Sequence, residues 1–90
     1  MKHVHLAKRV IAKSAEGWLL HLSEPLSAIA PEEEPDMLTE YLREIHYPYR
    51  KVRGRFVFPA AIREADIFEV LQHFYDGTAE VEIVGWTPNR

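Results

Sequence analysis

The sequence predicts an α+β fold of order β-β-α-β-α-β, in which a mixed sheet carries two helices packed on one face. Three stretches support this prediction. Residues 50–58 are β-branched and aromatic, residues 66–75 repeat apolar side chains with a helical period, and residues 79–86 alternate with a strand period. Because short connections join this strand, helix and strand, we expect the two strands to run parallel through a right-handed crossover.

Length and composition predict one compact domain over residues 1–90. Of these residues, 47% are apolar, which suffices for a core, and 28% are charged. The absence of cysteine excludes disulfides, thiolate catalysis and cysteine-bound zinc. No apolar run resembles a signal peptide or could cross a bilayer, so we expect a soluble, cytoplasmic protein with no membrane partner.

Residues 3–22 predict a β-hairpin. A type I turn over residues 14–17, with a left-handed glycine at its last position, sets a register that puts Arg9, Trp18 and Leu20 on one face. Both faces are partly apolar, so the pattern does not decide which one is buried. We expect one face to meet a second copy of the chain, with Trp18 and Leu20 in the dimer interface. A helix over the first half of this stretch is the competing interpretation.

Two helices are predicted from the apolar spacing. The first begins near Pro35 and ends before Pro48, since proline suits the first helical turn and the residue before proline avoids helical angles. The second begins at Asp66, which forms a capping-box pattern with Glu69, and ends at residues 76–77. The side chains expected to be buried are Leu38, Tyr41, Leu42, Ile45, Ile67, Val70, Leu71 and Phe74.

The sequence does not match the common sequence motifs for catalysis or metal binding. The four glycines are scattered, no serine lies in a Gly-x-Ser-x-Gly elbow, and the acidic run lacks the pattern of a calcium loop. His3 and His5 would share a strand face as two metal ligands, but the hairpin register places His21 away from them. We therefore predict that the protein is not an enzyme and holds no metal or cofactor.

Acidic side chains are concentrated between the first hairpin and the end of the first helix. Residues 24–44 carry seven acidic side chains against one arginine. Such a surface could dock a protein partner with a basic surface, or it could simply be solvated. The residues predicted to form this docking surface are Glu32, Glu33, Glu34, Asp36, Glu40 and Glu44.

Basic side chains are concentrated in the third strand. A single strand over residues 50–58 turns Lys51, Arg53 and Arg55 to one face and Val52, Gly54, Phe56 and Phe58 to the other, with a bulge or the close approach of a helix at Gly54. Arginines and aromatics on a sheet are typical of single-stranded nucleic-acid binding. The residues of that alternative site are Arg50, Lys51, Arg53, Arg55 and Tyr49.

Two observations count against nucleic acid as the partner. Glu80 and Glu82, on the strand expected to lie beside the basic one, could neutralise Arg53 and Arg55. The sequence pI near 5.9 is also too acidic for a typical nucleic-acid-binding domain. The sequence therefore favours a non-catalytic, protein-binding regulator or inhibitor, of a phage or mobile-element type that acts on nucleic-acid-handling machinery. The small nucleic-acid-binding protein is the alternative.

Overall fold

The computed structural model describes residues 7–22 and 24–84, which form a five-stranded sheet and two helices. The predicted α+β class is confirmed, and the order is β-β-α-β-β-α-β, with one strand more than predicted. The predicted strand end at residues 85–86 lies outside the described residues. The elements are β1 (Ala7–Ser14), β2 (Gly17–His21), α1 (Glu34–Glu44), β3 (Arg50–Val52), β4 (Arg55–Phe58), α2 (Glu64–Phe74) and β5 (Ala79–Ile83).

The sheet is mixed, with the strand order β3-β4-β2-β1-β5. β1 pairs antiparallel with β2 and parallel with β5, while β4 pairs antiparallel with both β2 and β3. The strands on either side of α2 therefore run parallel, as the short connections predict. They are not neighbours, because β2 and β1 lie between them. The expected neutralisation of Arg53 and Arg55 by Glu80 and Glu82 is wrong for this reason.

The first hairpin has the predicted register. Ile11 lies opposite Leu20, and Lys13 lies opposite Trp18. Gly17 has a φ of 132°, and a Cβ at this position would clash with the carbonyl oxygen of Phe58 on β4. Only glycine tolerates both constraints, so this residue allows β2 and β4 to pair closely. The competing helix is wrong, since β1 occupies that part of the chain.

The basic stretch is two strands rather than one. Arg53 and Gly54 have φ values of 53° and 80°, and this pair of left-handed residues makes the tight turn that joins β3 to β4. Gly54 therefore reverses the chain instead of forming the predicted bulge. Because the chain reverses, Lys51 lies opposite Phe56 while Arg55 lies opposite Val52. The predicted single face of Lys51, Arg53 and Arg55 does not exist.

The core lies between one face of the sheet and both helices, as predicted. Every second residue of the longer strands points into it, and α1 and α2 cover it from the same side. Ile45, expected in the buried stripe of α1, is exposed instead, because it lies beyond the last helical residue. The buried apolar residues of this core include Ile11, Trp18, Leu20, Leu38, Leu42, Phe56, Phe58, Ile67, Leu71, Tyr75 and Ile83.

The helix ends follow local backbone geometry. α1 ends in a Schellman motif, in which Tyr47 N–H donates to Leu42 O at 2.8 Å and His46, at a φ of 58°, donates to Arg43 O at 3.2 Å. α2 begins at Glu64, so the predicted start at Asp66 is wrong. No helix among the described residues is long and apolar enough to span a membrane.

Candidate functional site

The outward side of α1 carries a row of carboxylates. Asp36, Glu40 and Glu44 recur every four residues, so they follow one another along the helix surface, and all three are exposed. Glu32 and Glu33, in the turn before the helix, are exposed as well. The salt bridges found among the described residues lie elsewhere in the fold. These five carboxylates, which we call the acidic row, are therefore free to meet a partner.

A row of apolar side chains runs beside the acidic row. Met37, Tyr41 and Ile45 also recur every four residues, and Met37 and Ile45 are 42% and 41% exposed. Tyr41 is half-buried against Phe74 of α2, with ring centroids 5.3 Å apart. Met37, Tyr41 and Phe74 line a groove whose rim carries Glu40 and Glu44. We call Met37, Tyr41, Ile45 and Phe74 the apolar row. The carboxylates along its border resemble the polar rim of a protein interface.

Glu34 does not belong to the acidic surface, although the sequence predicts it there. It is 2% exposed, because it precedes Leu38 and Leu42 by one and two turns on the inward side of α1. Arg9 of β1 holds it through two hydrogen bonds, from Nε to Oε2 at 2.7 Å and from Nη2 to Oε1 at 2.8 Å. Tyr75 donates its hydroxyl to Oε2 at 2.6 Å.

This buried cluster of Arg9, Glu34 and Tyr75 is fully compensated in charge. Arg9 also donates to the carbonyl oxygens of Lys8 and Glu24, at 2.9 and 2.6 Å. The hydrogen bonds that Arg9 donates to Glu34 raise the pKa of Arg9 further above its usual value, against the opposite effect of burial. Burial, reinforced by Glu34, raises the pKa of Tyr75 well above the usual range. The cluster therefore ties β1 to α1 and to the end of α2.

The basic residues that the sequence grouped together lie on different sides of the sheet. Lys51 Nζ lies 5.0 Å from the ring centroid of Phe56, on the core side. Arg53 and Arg55 line a depression with Leu19 and Val52 on the side away from the helices, which we call the open face. Arg50 is held by the carbonyl oxygen of Glu16, to which it donates at 2.8 Å.

The aromatic residues of the alternative site are also on the core side. Tyr49 packs on Phe56 and Tyr47 on Phe58, with ring centroids 5.9 and 6.1 Å apart. The described strand residues that point to the open face include no Phe, Tyr or Trp, so His21 carries the only ring among them on which a base could stack. They are Lys8, Val10, Ala12, Ser14, Gly17, Leu19, His21, Arg50, Val52, Arg55, Val57, Glu80 and Glu82.

Trp18 and Leu20 are core residues, so their predicted place in a dimer interface is wrong. Trp18 is 3% exposed and Leu20 is 1% exposed. The indole Nε1 of Trp18 donates to the carbonyl oxygen of Ile62 at 2.9 Å, which satisfies its polar group within the same chain. Both side chains are covered by the helical side of the fold.

Metal-ligating side chains are dispersed in the described part of the chain. No three histidine, aspartate or glutamate residues there lie close enough to share a metal ion. His3 and His5, the two candidate ligands considered from the sequence, lie outside the described residues.

Comparison with known proteins found no relative of this chain. No protein family, curated protein or solved structure matches this chain.

Proposed function

We propose that this protein is a non-catalytic, protein-binding regulator or inhibitor whose partner presents a basic surface. The observation that carries the proposal is the pairing of two exposed rows on α1, the acidic row and the apolar row. Carboxylates alone would only solvate a helix. Beside them, however, Met37 and Ile45 leave apolar surface in water next to a groove. Apolar patches of this kind, rimmed by polar residues, are typical of interaction sites.

The partner chemistry follows from the two rows. The groove between the helices accepts an apolar side chain, and the carboxylates along its rim favour lysine or arginine on either side of that anchor. A segment with an apolar anchor and flanking basic residues, such as one face of a basic amphipathic helix, satisfies both requirements. Nucleic-acid-handling proteins are rich in basic surfaces of this type, which keeps them the preferred class of target.

The nucleic-acid alternative stays a prediction from the sequence. The separation of Lys51 from Arg55 across the sheet and the core position of Tyr49 remove the combined charged and aromatic surface on which it depended. We do not propose it as a second function.

Affinity capture from the source cell, followed by quantitative mass spectrometry, tests the proposal. The bait is compared with a variant in which Asp36, Glu40 and Glu44 become amides. A partner of the acidic row should be depleted at least tenfold by this variant, because opposed charges steer its association. The matched control replaces the exposed Glu69 and Glu80 by Gln, and should retain the partner.

Two further results decide the outcome. Added salt should reduce capture by the unmodified bait, since exposed charges are screened. Ile45→Ser should also reduce it, because the apolar row contributes contact area. If captured proteins depend equally on the control positions, or if none depends on the acidic row, the proposed surface is wrong.

A further inference from the structure

The open face carries two rows of side chains that cross the sheet. The strand registers place Arg55, His21, Val10 and Glu82 at one level, from β4 to β5. The second row, one step along the strands, contains Val57 and Leu19 together with Ala12, which lies opposite Leu19. Val84 continues this row beyond β5, where its N–H donates to Ile11 O at 2.9 Å.

The first row is basic at one end and acidic at the other. Arg55 is exposed at the β4 end, with no acidic residue on the neighbouring strands at its level. Glu82 lies at the β5 end, where Lys8 approaches one of its oxygens at 3.4 Å and both side chains are 54% exposed. His21 and Val10, between the two ends, are half-buried, as are Leu19 and Ala12 in the second row, while Val57 is fully buried. Val84 adds apolar surface that is 56% exposed.

We propose that the open face binds a second copy of this chain. A two-fold axis that runs parallel to the strands, between β1 and β2, would bring Arg55 over Glu82 of the second copy. The same operation would bring the half-buried Leu19 over the copy's Ala12. Each contact would occur twice, as symmetry requires of a two-fold interface. Arg55 and Glu82, which cannot meet within one chain, would pair between chains.

The charge pattern selects this arrangement over the other two-fold packing. An axis perpendicular to the strands would place Arg55 near Arg55 of the copy, and like charges in an interface are costly. Packed sheets lie about 10 Å apart with strands rotated by about 30°, which suits long arginine and glutamate side chains at the margins. The face is small, so we expect a dimer with a dissociation constant on the order of 10–100 μM.

Charge reversal tests the pairing directly, with sedimentation velocity as the readout. Arg55→Glu should weaken the dimer at least tenfold, because it places two carboxylates together at both contacts. Glu82→Arg should do the same with two guanidinium groups. An equimolar mixture of the two variants should dimerise again, since each contact then joins an arginine to a glutamate. Matched controls are Arg63→Glu and Glu69→Arg, which make the same changes on exposed residues of the helical side and should not affect dimerisation.

Three results would overturn the proposal. The unmodified chain could sediment as a 10.5 kDa monomer at millimolar concentration. It could dimerise with equal affinity in the Arg55 and Glu82 variants, which would place the interface elsewhere. The mixed variants could remain monomeric while circular dichroism shows both to be folded, which would contradict the pairing. The acidic row takes no part in these outcomes, so they are independent of the proposed function.

Discussion

Lys8 and Arg9 are neighbours on β1, but the charge of Lys8 is exposed to solvent and that of Arg9 is buried. Lys8 points to the open face and pairs with Glu82 at 3.4 Å in water. Arg9 points to the core and holds Glu34 at 2.7 Å, with 1% and 3% of the two side chains exposed. A buried ion pair must replace the hydration of both charges by hydrogen bonds, whereas an exposed pair retains its water. The alternation of a strand therefore decides how much each pair matters to stability.

The largest expected loss of stability comes from removing the charge of Glu34 while Arg9 stays charged. Glu34→Gln leaves the guanidinium of Arg9 buried without a counter-charge, so we expect a loss of about 3–5 kcal/mol in the free energy of unfolding. Urea unfolding followed by circular dichroism measures the change. The matched control is Glu33→Gln, an exposed neighbour that should cost less than about 0.5 kcal/mol.

Removing the charges of both Arg9 and Glu34 tests whether the two side chains depend on each other. The double variant Arg9→Met and Glu34→Leu leaves no buried charge, and should be more stable than either single variant. If the double variant loses as much as the sum of the single ones, the two side chains act independently and the account of the buried pair is wrong.

Tyr75 provides a smaller effect within the buried cluster. Tyr75→Phe removes the hydroxyl that donates to Glu34 while Arg9 still satisfies both carboxylate oxygens. We expect a loss of about 1.5–3 kcal/mol, the usual contribution of a hydrogen bond to a charged group. Denaturant unfolding at neutral pH measures it. A loss similar to that of Glu34→Gln would show that the hydroxyl, not the ion pair, dominates the cluster.

Buried tyrosines also predict how stability depends on alkaline pH. Burial, together with Asp66, raises the pKa of Tyr47 from 10.0 to about 12, and the pKa of Tyr75 rises in the same direction. A raised pKa means that the folded chain favours the neutral phenol. The contribution of this preference to the free energy of unfolding is fully present below pH 10 and is lost as the pH rises from 10 towards the raised pKa. Tyrosinate absorbance should show Tyr47 titrating near pH 12, and Tyr47→Phe should remove that step. A titration of all tyrosines near pH 10 would contradict the prediction.

The smallest expected effect concerns the exposed pair. A double-mutant cycle on Lys8→Ser and Glu82→Gln should give a coupling of about 0.2–1 kcal/mol that declines with added salt. It should be measured at low protein concentration, where the open face is unoccupied. A coupling as large as that of Arg9 with Glu34 would remove the contrast between the two sides of β1.

The first hairpin could be predicted because its turn chemistry is local. Residues 14–17 require a glycine at the end of the turn, and that requirement fixes the register of both strands. The register also placed Arg9 on the same face as Trp18 and Leu20. An arginine on a face of buried apolar residues was the available signal for the buried cluster. The spacing of Glu34 from Leu38 was the second signal, but the run of glutamates around it indicates solvent.

The turn between β3 and β4 could not be recognised in the same way. Such turns usually use Asn-Gly or Asp-Gly, because both central residues need positive φ angles. Here an arginine, Arg53, occupies the first of these positions at a φ of 53°. The alternating sequence around it then fits one continuous strand, so the faces expected for Lys51 and Val52 are exchanged, while Phe56 and Phe58 face the core as expected. The acidic row was predicted from sequence, whereas the apolar row was missed because Ile45 was expected to be buried.

The parallel pairing of β1 with β5 has a consequence for how the chain folds during synthesis. Ala7 pairs with Ala79, so the sheet joins the earliest described residues to some of the last. While the ribosome is still making α2 and β5, β1 has only β2 beside it and Glu34 lacks the hydroxyl of Tyr75. Contacts between distant parts of a chain slow folding, because a long loop must close before they form. The nascent chain therefore exposes one edge of β1 until translation of β5 is complete, and chaperone binding is most useful during that interval.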